Sequence, residues 1–182
     1  MEMDTQQFQD MRKEQLRASK SKGIITHPHT FKADMTIETY LERYGSIAKG
    51  THLEEVTVSV FGKIMAKRES GSKLFFLDIY HSHIKLQVLA NLRFYESEQS
   101  FLEMRECVKI GDFIGVRGHP GSSKMNEASI RPLKVTILNP CMRQMPCAHY
   151  GFKDQETRYR KRYLDLLMNK DVKDRFITMI RI

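Results

Sequence analysis

The sequence has no tryptophan, only three cysteines and five prolines among its 182 residues, and no long apolar run. A transmembrane helix needs about 18 or more consecutive apolar residues, so no membrane association is expected. The N-terminal residues, Met1 to Asp4, lack the basic and then apolar pattern of a secretory signal. Three cysteines leave one necessarily unpaired, which argues against a disulfide framework and predicts a reducing, cytoplasmic location.

The composition that remains is that of a globular protein with a basic surface. Hydrophobic residues make up 41% and charged residues 29% of the chain, enough for one packed core with attachments. Lysine and arginine number 30 against 22 acidic residues, which gives a net charge of +8. This excess favours a polyanionic partner such as a nucleic acid, although a basic surface without a partner would give the same net charge.

The first third of the chain predicts two helices and an extended linker. Residues 5–20 read as a helix whose later half is crowded with lysine and arginine, and Gly23 follows it as a stop. Such a helix is either a basic arm on a phosphate backbone or a solvated terminal helix, and the pattern favours neither. Thr36 then predicts the N-cap of a short helix that ends at Gly45.

From residue 54 the apolar period becomes two, which is typical of strands. A first strand to residue 66 contains Gly62, which predicts a bulge or bend there. The remaining elements are strands at 73–80 and 84–91, a helix at 97–107 capped by Ser97, and strands at 113–118 and 129–138. This order predicts a mainly β fold, a five-stranded OB-fold Greek-key barrel with a helix between strands 3 and 4, plus flanking N- and C-terminal helices. The alternative, an SH3-like barrel, lacks that helix.

The second and third predicted strands form a hairpin whose faces differ in chemistry. With the turn placed at His81-Ser82, Phe75, Leu77 and Ile79 face the interior, and Phe76 falls opposite Gln87 on the polar face. An outward ring beside an amide suits single-stranded nucleic acid, because the ring stacks on a base and the amide reads its edge. Arg68, at the end of the first strand, is placed to reach the same base. A lone surface phenylalanine is equally common.

The C-terminal region predicts further helices, and the histidines and cysteines do not predict a metal site. Residues 154–168 and 171–182 read as helices, and the second has no terminal cap, which predicts a boundary inside a larger protein. No metal site is expected, because none of the histidine and cysteine groups has the spacing of a structural zinc site. These groups are His27/His29, His81/His83 and Cys141/Cys147/His149.

Several segments, spread along nearly the whole chain, carry a resemblance to a known family. They are His27-Pro28-His29-Thr30-Phe31, residues 53–60, Gly62-Lys63-Ile64, Ala66-Lys67-Arg68, Ser70-Gly71, Lys73-Leu74, Lys85-Leu86-Gln87-Val88 and residues 111–116. The most specific stretch is DQETRYRKRYLDL at residues 154–166. On these residues the sequence resembles the N-terminal, anticodon-binding OB-fold part of a eukaryotic-type class II lysyl-tRNA synthetase.

The resemblance implies which residues bind RNA, which RNA they bind, and that this chain has no catalytic residues. It implies that the barrel reads the U-rich lysine anticodon of tRNA(Lys), with Phe76 stacking, Gln87 and Arg68 contacting bases, and Glu127 as a further acidic contact. The family's ATP-binding motifs lie beyond residue 182, so no catalytic residue and no cofactor are expected in this chain. The full-length enzyme would attach lysine to tRNA with ATP and magnesium.

The resemblance also implies a division of the chain and an oligomeric state. The expected parts are a helical N-terminal extension (1–48), the OB-fold domain (49–145), and a linker with the start of the catalytic domain (146–182). This chain alone is expected to be a monomer and the full-length enzyme a homodimer. The alternatives are a free-standing OB-fold that binds RNA and a protein-interaction module.

Overall fold

The computed structural model describes residues 5–23, 27–28, 30–95, 97–145 and 154–181. They fall into two compact units, Met1–Gln144 and Met145–Ile182. The first unit contains α1 (Thr5–Ser21), α2 (Ile37–Tyr44), β1 (Val58–Glu69), β2 (Leu74–His81), β3 (Ile84–Asn91), a 3-10 turn (Leu92–Phe94), α3 (Glu98–Cys107), β4 (Phe113–Ser122) and β5 (Ala128–Asn139). The second contains α4 (Gln155–Arg160), α5 (Arg162–Met168) and α6 (Lys170–Arg181).

The five strands close into a barrel in the order β1-β2-β3-β5-β4. All neighbours are antiparallel except β3 and β5, which pair in parallel. With α3 inserted between β3 and β4, this is the predicted OB-fold and not an SH3-like barrel. The predicted helix starts are also confirmed, because Thr36 and Ser97 accept hydrogen bonds from the backbone N–H groups of Thr39 and Ser100.

The core of the barrel is filled by alternate residues of each strand, and α2 packs its buried side chains against this core. Phe75, Leu77 and Ile79 of β2 are fully buried, as the alternation predicts. From α2, Ile37 and Tyr40 add two more fully buried side chains. The Tyr40 hydroxyl donates a hydrogen bond to the Ser129 backbone oxygen at 2.8 Å, which keeps the one polar atom of this ring satisfied.

The irregularity of β1 lies three residues later than predicted. Lys63 is the residue at which β1 changes partner from β4 to β2, and the register shifts between Ile64 and Ala66, so that Met65 is the extra residue. Gly62 has a different role. A Cβ there would lie 3.1 Å from the Tyr80 oxygen and 3.2 Å from Ile79 Cβ, so glycine permits close packing inside the barrel.

The register predicted for the β2–β3 hairpin is wrong by one residue on each strand. The turn is at Ser82-His83, both with positive φ (49° and 71°), and Phe76 pairs with Leu89 while Gln87 pairs with Asp78. The sequence has no Asn-Gly to mark such a turn. The predicted inner and outer faces of the two strands are nevertheless confirmed. The partner of each residue is shifted by two positions in total, and an even shift keeps every side chain on its predicted face.

The N-terminal helix α1 is packed onto the barrel, which corrects the reading of it as a solvated terminal helix, whereas its reading as a basic arm on a phosphate backbone stays a prediction. Arg12 is fully buried, and its Nη2 lies 2.5 Å from the Asp112 carboxylate while Nη1 donates to the Cys107 oxygen at 2.6 Å. Gln15 donates to the Glu106 oxygen at 2.5 Å. Lys13, Arg17 and Lys20, by contrast, are exposed.

Strand β4 continues to Ser122, beyond the predicted end at residue 118. Pro120, expected in a loop, pairs with Ile130, and its oxygen accepts a hydrogen bond from Leu53 N at 2.8 Å. The strand tolerates this proline because the ring removes only a donor, and the acceptor is still used.

The second unit is held together around one buried carboxylate. Asp165 is fully buried and accepts hydrogen bonds from Arg158, Arg162 and Asn169 at 2.9, 2.8 and 2.5 Å. Burial raises the pKa of Asp165, but these donors outweigh it and hold the pKa below its usual value. None of the helices described is long and apolar enough to cross a membrane. The predicted domain limits, 1–48, 49–145 and 146–182, stay a prediction.

Candidate nucleic-acid interface

The outward face of the β1–β2–β3 sheet carries the residues that the sequence singled out. On β2, Phe76 and Asp78 alternate with the buried Phe75 and Leu77, so both point away from the core. Phe76 is half-buried. A half-buried ring on a sheet is held in orientation by its neighbours and still offers one face to a ligand.

The bulge at Met65 places Arg68 on this same face. Strict alternation from the buried Val58, Val60 and Ile64 would send residue 68 inward, and the extra residue reverses the direction of the side chains after it. Arg68 therefore pairs directly with Phe76. Its Nη2 donates to Asp78 Oδ1 at 2.8 Å and Oδ2 at 3.2 Å, which holds the guanidinium along β2 beside the ring.

Gln87 and Glu127 meet at the other side of Phe76. Gln87 lies two residues from Leu89, the partner of Phe76, so it is the diagonal neighbour of the ring. Its Nε2 donates to Glu127 Oε2 at 2.7 Å, and Lys85 Nζ donates to the other carboxylate oxygen of Glu127. The structure thus brings Arg68, Phe76, Gln87 and Glu127 together on one outer face.

The Gln87 carbonyl oxygen, Oε1, is a buried polar atom for which the described residues provide no hydrogen-bond partner. Gln87 is only 5% exposed, and Oε1 is buried with no hydrogen bond among the residues described. A buried acceptor without a donor costs free energy, on the order of 1–3 kcal/mol. A ligand that supplies an N–H group here would recover that cost once the side chains that cover Oε1 move aside, because this atom has almost no accessible surface in the unbound chain.

Two charged residues of the site were not selected from the sequence, Asp78 and Lys85. The predicted hairpin register pairs them with each other, whereas in the structure each contacts a residue already selected, Asp78 contacting Arg68 and Lys85 contacting Glu127. The hydrogen bond to Glu127 raises the pKa of Lys85. The signal in the sequence was the alternation itself, which places both residues on the outer face with Phe76.

The histidine and cysteine groups that were considered for metal are only partly within the described residues. His81 packs edge-on against Phe61 with ring centroids 4.8 Å apart. His29, Cys147 and His149 lie outside the described residues. Among those described, no three His, Cys, Asp or Glu side chains are grouped closely enough to hold a metal ion.

Comparison with known proteins also indicates a nucleic-acid-binding domain. Residues 58–138 match the family model of the tRNA anti-codon OB-fold nucleic acid binding domain. Lysine–tRNA ligase cla4 of Cladosporium cladosporioides is 35% identical over 168 residues, which are 90% of this chain and 28% of that protein. The lysine–tRNA ligase of Thermotoga maritima is 33% identical, over 93% of this chain and 34% of its own length.

A third relative, the probable cytoplasmic lysine–tRNA ligase of Encephalitozoon cuniculi, is 31% identical over 97% of this chain and 33% of its own length. The chain therefore spans roughly a third of the length of the curated relatives it matches.

Proposed function

Because this chain is homologous to the N-terminal, anticodon-binding part of lysine–tRNA ligases, we propose that the outer face of β1, β2 and β3 reads the anticodon loop of the lysine tRNA. Phe76 stacks on the central base, Gln87 contacts that base's Watson–Crick edge, and Arg68 adds a planar cation at the side of the ring. Glu127 is the acidic member of the same site. Tight binding is expected to need the exposed base of a single-stranded loop.

The observation that carries this proposal is the buried, unpartnered Oε1 of Gln87 beside an available aromatic ring. Uracil has a hydrogen-bond donor, N3–H, in the middle of its Watson–Crick edge, whereas cytosine has an acceptor, N3, at the same place. A base whose N3 lies opposite Oε1 therefore satisfies that oxygen only when N3 carries a hydrogen, because the N4 amino donor of cytosine lies at a different place on the edge. The site is suited to uridine and disfavours cytidine, which matches an anticodon with a central U.

The experiment is equilibrium binding of the chain to two anticodon stem-loops that differ only in the central base, UUU against UCU, at two salt concentrations. Leaving a buried acceptor unpaired predicts about tenfold weaker binding of the UCU loop. Equal affinity for both loops with a steep salt dependence would leave only sequence-independent backbone binding and would contradict the proposal.

For the longer protein we propose the activity of its relatives, the attachment of lysine to tRNA with ATP and magnesium in the cytoplasm. The relatives are about three times as long as this chain, and we assign the chemistry to that additional length. The present chain, a monomer in this proposal, supplies recognition of the tRNA. The longer protein is proposed to be a homodimer.

A further inference from the structure

The Gln87 amide is held in one of its two possible orientations by Glu127. A primary amide has a donor end and an acceptor end of nearly the same shape, and rotation by 180° exchanges them. A carboxylate only accepts hydrogen bonds, so the amide N–H must face Glu127, as the 2.7 Å contact from Nε2 to Oε2 has it. The carbonyl oxygen is therefore the end that no described residue engages, and it is buried in the unbound chain.

We propose that Glu127, neutralised by Lys85, is a specificity-determining positioning residue that makes the Gln87 amide an acceptor toward the base. The inference rests on the proposed function of this face. Its content is different, however, because the proposed function assigns the discrimination between U and C to the Gln87 oxygen, whereas this inference assigns the orientation of that amide to the residue behind Gln87.

The burial of Gln87 strengthens the preference for one orientation of its amide. If the amide rotated, its oxygen would face the Glu127 carboxylate at hydrogen-bond distance, two acceptors would oppose each other, and the freed N–H group would point to the base. In water such a mismatch is relieved by solvent, but Gln87 is 5% exposed. The reversed amide would favour the N3 acceptor of cytosine, so Glu127 acts against the incorrect base.

Lys85 has the complementary task of balancing the charge of Glu127. Its Nζ contacts Oε1 while Gln87 contacts Oε2, so both carboxylate oxygens are engaged. Both partners of this pair are partly exposed, Lys85 at 38% and Glu127 at 31%. An unbalanced carboxylate here would repel the phosphates of the loop, but it would still accept from Gln87. Loss of Lys85 should thus weaken binding without changing which base is preferred.

The test is Glu127→Gln, which keeps the size of the side chain and removes the charge. A glutamine can donate as well as accept, so the Gln87 amide becomes free to rotate. We expect the preference for the UUU loop over the UCU loop to fall from about tenfold to less than about threefold, mainly through tighter binding of UCU. An unchanged preference would overturn the inference.

Two further variants distinguish an effect on the Gln87 amide from a general effect of the Lys85 and Glu127 charges on binding. Lys85→Met is the matched control, because it breaks the same ion pair and is expected to weaken both loops while the preference persists. A preference lost equally in Lys85→Met would overturn the inference, since the charge and not the amide orientation would then matter.

In the background of Gln87→Leu, Glu127→Gln should change the preference no further, because the amide it orients is gone. A further change there would show that Glu127 acts on the base independently of Gln87, which also contradicts the inference. The outcomes remain distinct from those of the proposed function. If the unmodified chain does not distinguish the two loops, the proposed function fails, whereas if it does and Glu127→Gln retains the preference, only the inference fails.

Discussion

At the scale of single residues, two adjacent phenylalanines on β2 have opposite roles that substitution can separate. Phe75 is fully buried and packs against Phe101 with ring centroids 5.3 Å apart, whereas Phe76 lies on the outer face. The chemical group is the same and the positions differ by one residue. Any effect that differs between them therefore reports on direction and not on residue type.

Phe76→Ala is expected to weaken binding of the UUU loop by about 1–3 kcal/mol, the usual contribution of one base stacked on one ring. Its melting temperature should stay close to that of the unmodified chain. The control, Phe75→Ala, should lower the free energy of unfolding by about 3–5 kcal/mol through the cavity it leaves. Thermal unfolding and loop titration of both variants provide the measurement. Destabilisation by Phe76→Ala with intact binding would place this ring in the core.

At the scale of elements, the helix α1 depends on a contact that no local pattern in the sequence indicates. Arg12 and Asp112 are 100 positions apart, and both are fully buried. The Asp112 carboxylate also accepts hydrogen bonds from the backbone N–H groups of Lys109 and Cys141, both within 2.8 Å. One carboxylate therefore links α1, the loop before β4 and the segment after β5.

Replacing Arg12 by methionine is expected to release α1 from the barrel. It leaves Asp112 buried without its cation, and removal of one partner of a buried pair costs about 3–5 kcal/mol. Hydrogen exchange of α1 amides should rise sharply, and the melting temperature should fall. Arg17→Met, on the exposed side of the same helix, removes the same charge and should leave both unchanged. Equal effects of the two substitutions would mean that charge and not burial matters.

The elements also show what a sequence can and cannot determine. Alternation, caps and helix position are local, so the barrel, the Ser97 and Thr36 caps and the outward direction of Phe76 were all predictable. The position of the bulge at Met65 and the turn at Ser82-His83 depend on which strand residues meet across the barrel. The hydrogen bond from Gln87 to Glu127 was not predictable for the same reason, since the two residues are 40 positions apart.

At the scale of the whole molecule, the proposed function gives the net charge of +8 and the outer face of the barrel separate contributions to RNA binding. Exposed lysines and arginines attract any phosphate backbone, and each phosphate neutralised adds to the salt dependence of affinity. The proposed contact of Gln87 with a base edge would release no counterion. Affinity and selectivity should therefore respond differently to ionic strength.

Titration of the UUU and UCU loops between about 50 and 200 mM salt tests this separation. We expect the affinity for both loops to fall with the same slope of log K against log salt, because both present the same phosphates. The ratio of the two affinities should stay constant across the range, because it depends on one desolvated hydrogen bond. A ratio that declines with salt would mean that the loops are distinguished by their phosphate contacts, and the selectivity would then belong to the basic surface instead of Gln87.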